Sequence, residues 1–139
     1  MPPPSRLGDL VAMESTEATE LLADAPWIRV AFVIDGQPSV LPVNHVLYED
    51  AVFFRTAAGT KLATAAAAGA VALEADGGDA EQRIGWSVVA HGQASIVTDP
   101  ELEQALWALP FEPWAVPDDR PFWVRVDVHT ITGRRIVRP

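Results

Sequence analysis

The segment Val52-Phe53-Phe54-Arg55-Thr56-Ala57-Ala58-Gly59-Thr60-Lys61-Leu62 gathers two cations, two hydroxyls and a glycine where a strand pattern gives way to a helical one. Lys61 is the only lysine of the chain. At a helix start the first backbone N–H groups lack intrahelical partners and carry the positive end of the helix dipole, so they suit an anion such as phosphate. Cations at that place oppose the dipole of an empty helix start. A bound anion explains Arg55 and Lys61 better than solvation does, and we read the segment as the phosphate grip of a cofactor.

The elements that position this grip are those of a small β protein. Residues 1–13, with three consecutive prolines, read as a flexible N-terminal arm, and 14–139 as one domain. Ser15 or Thr16 is placed to cap a short helix that stops at Pro26. Ile28, Val30, Phe32 and Ile34 then alternate along a strand, Asp35-Gly36-Gln37-Pro38 supplies a turn, and a second strand covers 39–48. A third strand, 51–56, leads into the grip and an alanine-rich helix over 60–68 closed by Gly69. Residues 70–76 return as strand, 77–84 as polar loop, and 85–97 as a long strand whose Gly85 and Gly92 imply sharp curvature. Thr98 or Asp99 before Pro100 starts a third helix, 110–117 form a stiff aromatic loop, and 122–131 a last strand. Such a run of mainly consecutive strands favours a closed or partly closed antiparallel β-barrel over a doubly wound sheet.

Composition narrows the chemistry. With 139 residues, 49% of them hydrophobic, the chain has enough for one core and too little for two. It has no cysteine, which removes disulfides, thiolate metal sites and cysteine nucleophiles and suits a reducing cytoplasm. A formal net charge of -9 with only 10 scattered Lys and Arg argues against a nucleic-acid surface. Neither a signal-peptide pattern nor a bilayer-long apolar run is present, so a soluble cytoplasmic protein without membrane contacts is expected. His45, His91 and His129 lack the close spacing of a zinc motif, so no metal is expected. Ser87 has no Gly-x-Ser-x-Gly elbow around it, which argues against a hydrolase.

In order along the chain, Leu41-Pro42-Val43-Asn44, Phe54-Arg55-Thr56, Gly59-Thr60-Lys61, Gly85-Trp86-Ser87-Val88 and Thr132-Gly133-Arg134-Arg135-Ile136 resemble the pyridoxamine 5'-phosphate oxidase-like flavoproteins. The similarity is greatest to the short bacterial branch related to nitroimidazole reductases, and it spans roughly residues 15–136. The resemblance implies an FMN-binding split β-barrel, mainly β with a few short helices, working as a homodimer with FMN between the subunits. By position it implies that Arg55 and Lys61 hold the FMN phosphate, within a grip completed by Thr56, Gly59 and Thr60, whose two hydroxyls donate. Pro42, Val43 and Asn44 would lie along the isoalloxazine edge, Trp86 and Ser87 would border the same site, and His45, beside the flavin segment of the cofactor site, would contact substrate or replace the usual aromatic neighbour. Pro42 also lacks a backbone donor, which frees strand backbone to face a ligand.

Authentic pyridoxamine phosphate oxidases use a second basic cluster for the substrate phosphate, which this chain lacks, so vitamin B6 oxidation is not the expected activity. The expected one is an FMN-dependent oxidoreductase acting on a small molecule, with nitroaromatic reduction a family-level option and no side chain assigned as catalytic. The alternatives are an F420-binding reductase of the same fold, for whose acidic tail the chain is short of cations, and a non-enzymatic flavin- or haem-binding dimeric module. Trp114 and Trp123 are read as core or subunit interface.

Overall fold

A computed structural model describes residues 7–115 and 121–138. Eight strands, β1 (Asp9–Ala12), β2 (Ile28–Ile34), β3 (Gln37–Val43), β4 (Val46–Tyr48), β5 (Ala51–Ala57), β6 (Ala70–Asp79), β7 (Ile84–Ile96) and β8 (Pro121–Val137), alternate with α1 (Ser15–Asp24), α2 (Lys61–Ala68) and α3 (Pro100–Trp107). The mainly β, antiparallel fold matches the sequence expectation. The strands form one sheet in the order β3-β2-β6-β7-β8-β5-β4, with β1 attached to β8.

The two ends of this order are consecutive in the chain. β3 and β4 lie at opposite margins of the sheet, yet only Asn44 and His45 separate them, a link that reaches about 10 Å at full extension. The sheet must therefore curl until its margins nearly meet, and no ladder joins β3 to β4 among the described residues. This is the split in the barrel. The single strand expected over 39–48 is in fact broken at Asn44-His45, because its two halves belong to different margins.

The hairpin joining β2 to β3 explains the edge. Asp35 and Gly36 both have positive φ, 51° and 75°, which is the type I′ geometry of a two-residue turn. Ile34 pairs with Gln37 across it, and alternation from that pair turns the backbone groups of Ser39 and Leu41 inward and those of Pro38, Val40 and Pro42 outward. The two prolines thus cost the ladder nothing and remove donors from a free edge, which discourages pairing with another strand.

Other boundaries shift for local reasons. Asp9–Ala12, inside the segment read as an arm, pairs antiparallel with Ile136 and its neighbours on β8, while residues 1–6 lie outside the described region. Glu14, rather than Ser15 or Thr16, is the N-cap of α1, with extended backbone and no side-chain cap bond. Gly77 and Gly78, expected in a loop, continue β6. The Trp86 indole lies across Gly77, where a Cβ would sit 2.7 Å from its Nε1. At His91 and Gly92 the β7 ladder with β8 shifts register, which places the expected curvature at a bulge.

β5 is buried on both faces. Val52 and Phe54 enter the barrel core with Ile28, Val30, Leu73, Val88 and Val126, and α1 and α2 plug that core with Leu22 and Leu62. Ala51 and Phe53 point the other way, into a second cluster with Leu106 of α3 and Trp123. The period-two rule of a strand therefore sends Arg55 to the α3 side and Thr56 to the barrel side. No helix among the described residues is long and apolar enough to cross a membrane.

Candidate functional site

Where β5 ends and α2 begins, the chain borders a cleft of about 390 Å³ whose walls include Leu41, Pro42, Val43 and Asn44 from the split, and Arg55, Thr56 and Thr60 from the grip. Six of the residues singled out in the sequence, Pro42, Val43, Asn44, Arg55, Thr56 and Thr60, thus meet in one place. Leu62, Pro113 and Ala115 complete the lining with Ala57.

Arg55 sits in an aromatic cage. Its guanidinium carbon lies 4.3 Å from the ring centre of Trp107, 4.7 Å from Trp123 and 5.2 Å from Phe111. Trp123 is its direct partner across the β5/β8 ladder, so register alone brings that ring to the cation. One terminal nitrogen donates to the Phe111 carbonyl at 3.2 Å, while Nε is buried without a partner. Burial pushes the guanidinium below its usual pKa, as expected for a cation with no carboxylate beside it. The cage holds the plane of the cation and leaves its charge uncompensated.

Thr60 organises the helix start. Its side chain accepts from the Ala63 N–H at 3.0 Å as the N-cap of α2 and donates to the Ala57 carbonyl at 2.9 Å. With its single proton committed, Thr60 must accept in its 3.1 Å contact with the Thr56 hydroxyl. Both protons are thereby spent inside the protein. The hydroxyls frame the cleft instead of donating into it, which corrects the role inferred from sequence. The cap leaves the Lys61 and Leu62 N–H groups as the free donors of the first turn. Gly59 supplies the turn before them at φ 81°, a conformation that disfavours side chains.

The other singled-out residues lie apart. Lys61 is exposed and does not line the cleft. His45 is buried and turned inward, with Nε2 2.6 Å from the Leu22 carbonyl and Nδ1 unpartnered, so it is not positioned to touch substrate. Burial lowers its pKa, and the bond to Leu22 opposes that shift without overcoming it. Trp86 and Ser87 line a different groove with Arg134, Gly77 and Ile136, and share no wall with the Arg55 cleft.

Asn44 lies between two backbones. Its Nδ2 donates to the Pro26 carbonyl at 3.1 Å, and its Oδ1 accepts from the Trp114 N–H at 2.8 Å. Trp107, Phe111 and Trp27 escaped notice as site residues because a cross-strand register and a loop path bring them there. Trp114 is exposed and Trp123 is buried, so only the second is core.

A β-barrel split beside a caged arginine and a capped helix start defines the class of protein. Residues 14–135 match the pyridoxamine 5'-phosphate oxidase family, and the chain belongs to that family. It is 35% identical to the uncharacterized protein Rv0080 of Mycobacterium tuberculosis, over 96% of this chain and 90% of that protein. Among solved structures, the FAD binding protein of Mycobacterium smegmatis is 34% identical, covers 93% of this chain and 100% of its own, and superposes with a TM-score of 0.80. A candidate 5-nitroimidazole antibiotic resistance protein of Bacteroides thetaiotaomicron has the same fold at 13% identity, covering 94% of this chain and 90% of its own, with a TM-score of 0.75.

Proposed function

We propose that this protein is a flavin-dependent oxidoreductase that holds a flavin mononucleotide moiety in the Arg55 cleft. The observation that carries the reading is the Arg55 guanidinium, uncompensated and with a buried unpartnered Nε, at the wall of a cleft that also receives the start of α2. A phosphate there would meet the edge of Arg55 and the Lys61 and Leu62 N–H groups, with Thr60 fixing the turn. Pro42, Val43 and Asn44 then flank the ring. Bound in this way, the flavin supplies hydride or electron transfer, and the chain supplies orientation and a largely apolar wall.

FMN is the cofactor this reading names, because Arg55 is the one cation lining the cleft among the described residues. The same scarcity of cations speaks against F420. The similarity to a mycobacterial FAD binding protein favours a second form, in which the same moiety is half of FAD. The protein is read as a homodimer, since Trp86 and Ser87 lie on a groove separate from Arg55 and a second copy would bring that groove to the cofactor. The deciding experiment is an absorption spectrum of the purified protein with mass analysis of the released ligand and light scattering. Near-stoichiometric FMN on a dimer is expected. Released FAD would replace FMN in the proposal, and failure to take up either flavin would overturn it.

A further inference from the structure

Beside the cleft, across Asn44, lies a second hollow of about 360 Å³, lined by Trp27, Pro42, Val43, Asn44, Trp114 and Ala115. Pro42, Val43, Asn44 and Ala115 are walls of both spaces, so the two are neighbours. No charged side chain lines this hollow. Trp27 and Trp114 meet edge to face, with ring centres 5.3 Å apart and planes at 62°. That geometry takes an edge of one ring and one face of the other, and Trp114 is 73% exposed. Exposing two indoles side by side is costly in water unless they serve a contact.

The pair is held in place by one side chain. Asn44 donates to the carbonyl of Pro26, the residue before Trp27, and accepts from the N–H of Trp114 itself. A single amide therefore fixes the backbones that carry both indoles, at the point where the split exposes β3. These two bonds use one N–H and one lone pair of the Asn44 amide and account for its place between the spaces.

We propose that Trp27 and Trp114, positioned by Asn44, form a substrate subsite for an uncharged planar aromatic ring. The inference rests on the cofactor reading above, which places this hollow at the ring end of the flavin, remote from the phosphate. Stacking on an indole face rewards any flat π system, while the lack of a cation gives no return for bringing in a phosphate or sulfonate. The subsite selects against charged rings such as a phosphorylated pyridine.

The test is calorimetric titration of the full chain, after incubation with flavin, with 1,4-naphthoquinone and with its 2-sulfonate. Bound flavin is followed separately by absorbance. The neutral quinone should bind at least tenfold more tightly than the sulfonate. Trp114→Ala and Trp27→Ala should each weaken quinone binding about five- to tenfold, the loss of roughly one aromatic contact, with flavin content unchanged. Asn44→Ala should reproduce that loss, while Asn44→Asp, which can still accept from Trp114, should lose less. Quinone binding indifferent to Trp114, or equal binding of the sulfonate, would overturn the subsite. Loss of flavin from Trp114→Ala would assign the pair to the cofactor and overturn it too. A parent protein that takes up no flavin would instead sink the cofactor reading, visible in absorbance whatever the quinone does.

Discussion

Arg29 and Arg55 are both half-buried arginines on strands of an acidic protein, and the fold treats them in opposite ways. Arg29 donates to Glu74 at 3.0 Å and to Asp76 at 2.7 Å across the β2/β6 ladder. Burial raises the Glu74 carboxyl and the neighbouring Asp76 adds to the shift, while Arg29 opposes it. Arg135 is likewise paired, with Glu17 of α1. Arg55 receives three aromatic rings and one carbonyl. A carboxylate would complete the guanidinium and compete with any incoming anion, whereas ring faces restrain its plane and leave its edge and charge available. In a chain of net charge -9, a cation kept from carboxylates is the feature on which the proposed anion site rests.

The largest expected effect breaks this contrast directly. Truncating one partner of a desolvated, hydrogen-bonded charge pair costs about 2–5 kcal/mol, so Arg55→Ala should weaken flavin binding by about thirtyfold or more. Arg29→Ala should change it by less than about twofold, since Arg29 does not line the cleft and its charge is already paired. Fluorescence titration of flavin-free protein measures both. Equal losses would mean that Arg55 is packing for Trp107 and Trp123 and not a ligand. Arg55→Lys should fall between them, because an ammonium keeps the charge but not the planar fit among the rings.

The helix start after β5 was legible because its signals are local. A glycine, a capping threonine and an alanine run mark a helix start within ten residues, and Thr60 and Gly59 fill those roles. Alternation over 28–34 and the Asp35-Gly36 turn were legible for the same reason. The aromatic cage was not, because Trp107, Phe111 and Trp123 reach Arg55 through a ladder register and the return of a loop, neither of which leaves a periodic trace. The break at Asn44-His45 was hidden too. Residues 39–48 keep strand composition on both sides of it, and only the curling of the sheet assigns the halves to opposite margins. The stiff aromatic loop expected over 110–117 falls at residues 116 and 117 outside the described region.

His45 sharpens the comparison, because its buried unpartnered nitrogen belongs to a residue outside the cleft while that of Arg55 belongs to a residue that lines it. Its Nδ1 is as orphaned as the Nε of Arg55, yet His45 does not line the Arg55 cleft, so it should govern stability and not flavin binding. Burial holds its folded pKa below the ordinary 6.5. The unfolded chain therefore binds a proton that the folded one refuses, and stability is lost as pH falls through 6.5 toward the folded value. The slope approaches about 1.4 kcal/mol per pH unit at most. Urea midpoints between about pH 7.5 and 5.5 should drop for the parent and drop less for His45→Gln, whose amide can still donate to the Leu22 carbonyl. Identical acid limbs would show that His45 carries its proton without penalty.

The smallest expected effect concerns Lys61, the one lysine of the chain, at the start of α2. Its side chain is exposed and stands outside the cleft, so its charge acts through water where Arg55 acts across a partly desolvated wall. An exposed charge of this kind is worth up to about 1 kcal/mol and is screened by salt. Lys61→Ala should therefore weaken flavin binding only about two- to threefold at low ionic strength, and the difference should fade by about 1 M salt, where the screening length is roughly 3 Å. The Arg55→Ala deficit should persist there. A Lys61→Ala loss as large as that of Arg55→Ala, and equally resistant to salt, would move the grip from the aromatic cage to the flexible side chain at the helix start. The contrast between the two kinds of arginine would then describe packing, with the anion held by the first turn of α2 and its lysine.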